Sequence, residues 1–431
     1  MKTAAEIEVR SYVEDHANRL VAILQDLVRI PSENHAPNGN EQACQEYVAK
    51  FLNSAGWASR SYLPTEAPGI KSHPLFWKDR NYENRPNVVA KREGSGSGRS
   101  LILSGHIDTV PVGARKWTHP PFGAQVDGNR LYGRGAVDMK CGIATNLFVA
   151  EAISSMGLTL AGDLTIESVV DEEFGGVNGS LAGRLMGYGA DAAVISEPSY
   201  LRICAAQRGG RTAHITFYEP NEGILNAAGA GVSEQLRLFL NALPSFESGR
   251  QVNAKVDPNY AHLANPVPVT VARIHTAAWG TGEASNSPDR CQVELFWQAM
   301  PGETVEEIDR EFFEWFDALL TSNPAAFAAR PSVEHPIRWL PGSAIDHSAA
   351  IVQELGDTAE TVSGERPLIR GIEGPCDMYV FHDFGIPTVL WGARGGNLHH
   401  VDEYVEIDSL VHAATVLLAF VRRWCGEGVE Q

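Results

Sequence analysis

Leu101-Ile-Leu-Ser-Gly-His106-Ile-Asp108 opens on three apolar residues and breaks at Gly105 into a histidine and an acid two residues apart. A short apolar run that ends in a Gly-containing polar loop reads as a buried strand that delivers its polar residues to one edge of a sheet. The pattern recurs three times. Residues 164–170 run into Asp171-Glu172-Glu173, 192–195 into Ser196-Glu197-Pro198, and 388–391 into the Gly-rich stretch 392–397. Ile143, Leu147 and Ala150 mark a helix between them, while Leu20, Val21, Leu24, Leu27 and Val28 draw an amphipathic helix stopped by Pro31. This alternation predicts an α/β domain built on a mostly parallel sheet, and in such sheets ligands bind beyond the carboxyl ends of the strands.

From 207 to 341 the rhythm changes. Strand-like 213–218 is followed by a helix carrying Val232, Leu236, Phe239, Leu240 and Leu243, then by strands at 269–274 and 291–297. Thr304 and Glu307 form a capping box that opens a helix with Val305, Ile308, Phe312 and Phe316 on one face, and 332–340 reads as a last strand. The order βαββαβ predicts a ferredoxin-like α+β lid inserted into the larger domain. The expected division is 1–206 with 342–431 for the catalytic domain and 207–341 for the lid.

The 431 residues are ordinary in composition, which excludes disordered, collagen-like and coiled-coil chains, and the length suits two or three domains. A formal charge of −18 argues against a nucleic-acid groove or an anionic membrane surface, both of which need basic patches. No apolar stretch reaches the ~18 residues of a membrane span, and the first twenty residues lack the apolar core of a secretory signal. Six scattered cysteines without a Cys-x-x-Cys pair suit reduced thiols, so a cytoplasmic protein is expected.

Two further elements join the three acidic strand ends. Asp138 sits in Leu131-Tyr-Gly-Arg-Gly-Ala-Val-Asp138-Met-Lys at a helix entry, and the Gly-rich stretch leads to His399-His400-Val-Asp-Glu403. Oxygen and imidazole donors without thiolates suit Zn²⁺, Mn²⁺ or Co²⁺, and a carboxylate shared by two ions makes a hydrolytic centre. Asp108 is placed to accept a hydrogen bond from the far ring nitrogen of His106 and fix its tautomer.

Taken in order, Gly105-His-Ile-Asp-Thr-Val-Pro, Trp117-x-x-x-Pro121-Phe122, the Asp138 run, Asp171-Glu-Glu-Phe-Gly-Gly, Ser196-Glu-Pro and His399-x-x-Asp-Glu403-Tyr resemble one family. It is the co-catalytic zinc family of acetylornithine deacetylase, succinyl-diaminopimelate desuccinylase, aminoacylase and glutamate carboxypeptidase. The resemblance implies two zinc ions, with cobalt or manganese as alternatives, bridged by Asp138. His106 and Glu197 would complete one shell, Glu173 and His399 the other. Glu172 would be the general base and Asp108 the residue that orients His106. It also implies a small N-acyl amino acid or peptide substrate and a homodimer formed through the lid.

Two departures lie in the lid. Relatives carry a lid histidine shortly before a Gly-Val-Ser helix start, yet 220–230 contains none, and His214 lies too early to inherit the role. An arginine that clamps the substrate carboxylate is replaced by Gln298, and the Asn motif before it is blurred to Ser285-Asn-Ser-Pro288. Arg394, with the backbone amides of Gly395 and Gly396, is the expected local substitute. The resulting expectation is a dinuclear amidohydrolase acting on an N-acyl or peptide-like amide. The alternatives are a dipeptidase or carboxypeptidase of the same family, or a metal-containing binding protein without turnover.

Overall fold

The computed structural model describes residues 4–218, 231–276 and 289–428. The stretches 220–230 and 285–288, where the lid departures were read, lie outside them. The chain divides into two compact units: Met1–Ala206, Ala344–Ile372 and Cys376–Gln431 in the first, Gln207–Ser343 with Glu373–Pro375 in the second.

The first unit is built on a mixed sheet. Strands Leu164–Ser168, Leu101–Ser104, Ala192–Ile195 and Thr388–Leu390 run parallel at its centre. Antiparallel strands flank them, Asn87–Arg92 and Ser59–Tyr62 on one side and Ile203–Gln207 on the other. The α/β expectation holds, with the parallel strands at the centre of the sheet and antiparallel strands on its flanks. Leu101, Leu103 and Val194 face one core, which the helices Ala17–Arg29, Lys140–Ser155 and Ile407–Cys425 help to build, while Ile102, Ala193 and Ile195 face a second. Burial on both faces explains why these strands read as unbroken apolar runs. Lys140 is wholly buried, and its Nζ donates to the carbonyls of Leu27 and Ile30 at 3.0 and 2.7 Å, capping the end of the Ala17–Arg29 helix.

A smaller antiparallel sheet in the same unit runs in the order Gly395–Gly396, Tyr404–Glu406, Arg130–Tyr132, Gln125–Asp127. It joins the segment before Asp138 to the hairpin whose loop carries His399.

The second unit follows βαββαβ: Gly209–Tyr218, Val232–Asn253, Val269–His275, Arg290–Ala299, Val305–Ser322 and Ser332–Glu334. Its antiparallel sheet places Gly209–Tyr218 and Arg290–Ala299 at the centre, with the other two strands on the edges, the ferredoxin-like order. Thr304 and Glu307 form both bonds of the capping box. The first helix runs ten residues past the last apolar position read from the sequence, through Pro244, because its far end is anchored. Buried Arg250 pairs there with Glu303 at 2.8 Å and Glu311 at 2.7 Å. The last strand is shorter than expected, ending before Pro336, which has no N–H for a ladder.

Candidate metal centre

His106 follows strand Leu101–Ser104, Glu172 and Glu173 follow Leu164–Ser168, and Glu197 follows Ala192–Ile195, so three parallel neighbours bring their loops to one edge. Gly392 is required there because a Cβ on it would lie 2.2 Å from the carbonyl oxygen of Glu197. Asp138 precedes helix Lys140–Ser155, and His399 comes from the loop of the small sheet with φ of 58°. A left-handed backbone at a non-glycine residue costs of order 1 kcal/mol, and such costs collect at functional loops.

These side chains converge. His106 Nε2 lies 3.3 Å from Asp138 Oδ1 and 3.3 Å from Glu197 Oε1. His399 Nε2 lies 3.1 Å from Asp138 Oδ2 and 2.9 Å from Glu173 Oε2. Asp138 thus turns one oxygen toward each histidine. Glu172 Oε2 lies 3.8 Å from His106 Nε2, and ligand atoms of His106, Glu172 and Glu197 fall within 4.8 Å of one another, as do those of His106, Asp138 and Glu173.

The donor set fits a cation. His106 Nε2 is buried with no hydrogen-bond partner among the described residues. Its other nitrogen, Nδ1, lies 2.9 Å from the backbone carbonyl of Asp108. A proton on Nδ1 donated to that carbonyl leaves the Nε2 lone pair facing the carboxylates. This corrects the expected partner in detail, since the Asp108 carboxylate stands further off, at 3.6 Å. Among the described residues only histidines lie in ion-pair range of Asp138, Glu172, Glu173 and Glu197.

The electrostatics follow from that crowding. Burial, reinforced by Asp377, Glu197 and Glu173, pushes Glu172 well above the ordinary carboxylate range against the pull of His106. Burial and Asp138 raise Glu173 to about 7, although His399 opposes them. Hydrogen bonds to Asp138 and Glu173 raise His399 to about 11. For Asp138 burial acts upward, but the two histidines outweigh it and hold the carboxyl well below its ordinary value.

Asp108 does more than the sequence suggested. Its Oδ1 accepts the backbone N–H of Glu172 at 3.2 Å and its Oδ2 that of Glu173 at 3.1 Å, so it anchors the acidic loop as well. Asn34 Nδ2 donates to Asp108 at 2.8 Å and to buried Asp171 at 3.1 Å, and Asp171 is held in turn by Arg80, Arg85 and Tyr82. Sequence reasoning missed Asn34, Arg80 and Arg85 because they are more than 80 residues from the loop they brace, with no spacing signal. It also missed Asp377, which accepts from Ser180 Oγ at 2.5 Å, keeps an oxygen without a partner among the described residues, and is raised by burial to about 7.

Arg394, the expected carboxylate clamp, has acidic neighbours of its own. Arg394 Nε donates to Glu406 at 3.0 Å, and a terminal nitrogen lies 3.9 Å from Asp408, so its charge is already matched. Gly395 and Gly396 form a strand registered against Val405 and Tyr404 rather than an anion cradle. Gly395 is glycine because a Cβ would meet the Tyr404 carbonyl at 2.2 Å. In the second unit, Gln298 Nε2 donates to the carbonyl of Glu373 at 2.8 Å, and His214 pairs with Glu294 at 3.0 Å. His400 turns to Arg115, whose guanidinium lies 2.6 Å from its Nε2.

A mixed α/β sheet with this His-Asp-Glu cluster at its carboxyl edge defines a class. The chain belongs to Peptidase family M20/M25/M40, whose model matches residues 102–423. It is 29% identical to the N-formyl-4-amino-5-aminomethyl-2-methylpyrimidine deformylase of Halalkalibacterium halodurans and 27% identical to that of Bacillus subtilis, each over 97% of both chains. Among solved structures, the dipeptidase Dug1p of Saccharomyces cerevisiae has the same fold, with a TM-score of 0.78 over 99% of each chain at 14% identity. The chain is a metal-dependent hydrolase of amide C–N bonds. No helix among the described residues is long and apolar enough to cross a membrane.

Proposed function

We propose that the chain removes a formyl group from a small aminomethyl-substituted heteroaromatic amine, the kind of substrate named for its two deformylase relatives. The observation that carries the hydrolytic part is Asp138, with its two oxygens facing His106 and His399. His106, Asp138 and Glu197 would hold one divalent ion, and Asp138, Glu173 and His399 a second. Such ions, when bound, polarise an amide carbonyl and bring the pKa of a water toward ~7.

The remaining work falls to the protein's own groups. Glu172 takes a proton from the attacking water and gives it to the leaving nitrogen as the C–N bond breaks, so formate and a free amine leave. Asp108 holds the backbone of that base and of Glu173 in place. Zinc, cobalt and manganese all suit these donors, and zinc is the reading we adopt.

The substrate follows from charge. Gln298 stands where relatives carry the clamp arginine and donates to the Glu373 carbonyl, and Arg394, the expected substitute, is paired with Glu406, so neither position favours a substrate carboxylate. A neutral N-formyl heteroaromatic amide fits that better than an N-acyl amino acid. The homodimer expected from the resemblance would pair through the second unit, where Val269–His275 is an edge strand among the described residues.

The test is a comparison of kcat/KM for N-formyl-4-amino-5-aminomethyl-2-methylpyrimidine, N-acetylornithine and a dipeptide panel with metal-loaded protein. Preference for the formyl compound by at least tenfold supports the reading. Preference for either carboxylate-bearing class overturns it.

A further inference from the structure

Glu403 lies four residues beyond His399, and its carboxylate is 1% exposed. Its Oε2 accepts from Arg134 Nη1 at 2.6 Å and from the backbone N–H of Gly135 at 3.1 Å. Its Oε1 accepts the backbone N–H groups of Val137 and of Asp138 itself, each at 3.1 Å. The Glu403 carbonyl accepts the Gly133 N–H at 2.9 Å, and the next residue, Tyr404, pairs in register with Tyr132. One buried carboxylate therefore occupies a nest of three amides in the turn that delivers Asp138. The same residue closes the loop that delivers His399.

We propose that Glu403 is a positioning residue that locks the Asp138 turn to the His399 loop, so that the second ion's ligands assemble as one preformed unit. The proposal rests on the reading of Asp138, Glu173 and His399 as that ion's ligands. Two of those three hang on segments that Glu403 ties together, whereas of the first ion's three only the shared Asp138 does, since His106 and Glu197 sit on strand ends it does not touch. Loss of Glu403 should therefore act unequally on the two ions. A fold-stabilising buried ion pair would behave differently. In that case removing Arg134, which leaves an uncompensated buried carboxylate, would do at least as much harm to metal binding as removing Glu403.

The discriminating experiment titrates Co²⁺ into wild type, Glu403→Gln, Glu403→Asp and Arg134→Ala, with amide exchange of 133–140 recorded on the metal-free proteins. Glutamine keeps one acceptor oxygen but turns an NH₂ group toward donors. Aspartate keeps the charge but is too short to span both pairs of donors, and it serves if the glutamine variant does not fold. The proposal expects one of the two Co²⁺ steps to lose at least tenfold in affinity in Glu403→Gln while the other changes less than threefold, and anomalous peaks from the cobalt-loaded variant to place the loss at Glu173 and His399. It also expects faster exchange at 135–138, with smaller effects on both readouts in Arg134→Ala. Equal weakening of both steps, wild-type metal binding in the variant, or a larger loss in Arg134→Ala would overturn it. Wild-type protein that takes up only one ion would instead overturn the dinuclear reading itself, and the role of Glu403 would fall with it.

Discussion

Asp138 Oδ2 lies 3.1 Å from His399 Nε2, while the other oxygen of the same carboxylate lies 3.3 Å from His106 Nε2. The two histidines are 293 residues apart in sequence and reach this carboxylate from different sheets. With Glu197 beside one and Glu173 beside the other, the arrangement divides into two three-residue halves that share an acid.

That crowding dictates how metal binding responds to pH. Hydrogen bonds and charge from Asp138 and Glu173 raise His399 to about 11, and the carboxylates around His106 raise it well above its ordinary value despite burial, so without metal both imidazoles are shifted toward the cationic form that carries a second ring proton. An imidazole binds a cation only when it has lost that proton. Metal uptake should release protons at pH 7, from the two histidines and from the raised carboxyl of Glu173, and affinity should rise with pH and fall on acidification. Calorimetry in buffers of different ionisation enthalpy measures the number, and uptake without proton release would contradict the assignment.

Glu172 and Glu173 are adjacent but should fail for different reasons. Glu172→Gln should lower the rate by ~10² to 10⁴ with metal content unchanged, because the base is lost and the ligands are kept. Glu173→Ala should lose the second ion. Rate and metal content measured on the same preparations separate the two, and metal loss in Glu172→Gln would make Glu172 a ligand.

Arg394→Ala should leave KM unchanged, within about a factor of two, for neutral and carboxylate-bearing substrates alike, because the guanidinium is held by Glu406 and Asp408. Michaelis constants for a matched acid and amide test this. A rise confined to the acid would restore Arg394 as a clamp.

Asn34→Leu removes a donor from two buried carboxylates at once. An unfolding free energy lower by about 1–3 kcal/mol is expected, since each acid is left short of a partner. Burial alone would raise Asp108, and His106 with Asn34 and the Glu172 amide holds it at about 2. A group held that low contributes stability above its unfolded pKa and loses it as pH falls through the folded value. With Asn34 gone the folded value rises, so acid unfolding should begin at higher pH. Denaturant melts from pH 2 to 7 show whether it does.

The parallel strands were legible because burial on both faces leaves an apolar run, and the polar residues that stop each run are the site. The flanking strand Ser59–Tyr62 is Ser-Arg-Ser-Tyr, with no apolar alternation to reveal it. Gly395–Gly396 read as an anion loop because two glycines carry no side-chain pattern, and only the register against Tyr404 and Val405 makes them a strand. The partner of Arg394 was hidden for a related reason. Its distance from His399 along the chain says nothing of which neighbour it meets across a sheet, and there it meets Glu406. Glu403 was visible as part of a motif, but its partners, the amides of 135–138, are backbone groups that no residue type announces.

Anomalous diffraction from crystals of the cobalt- or zinc-loaded protein tests the dinuclear centre most directly. Two peaks are predicted, one at ligand distance, ~2.0–2.2 Å, from His106, Glu197 and Asp138 Oδ1, the other from Glu173, His399 and Asp138 Oδ2, with Glu172 bound to neither. A single peak held by His106, Glu172 and Glu197, one of two other groupings the side chains permit, would remove the bridge and the base together.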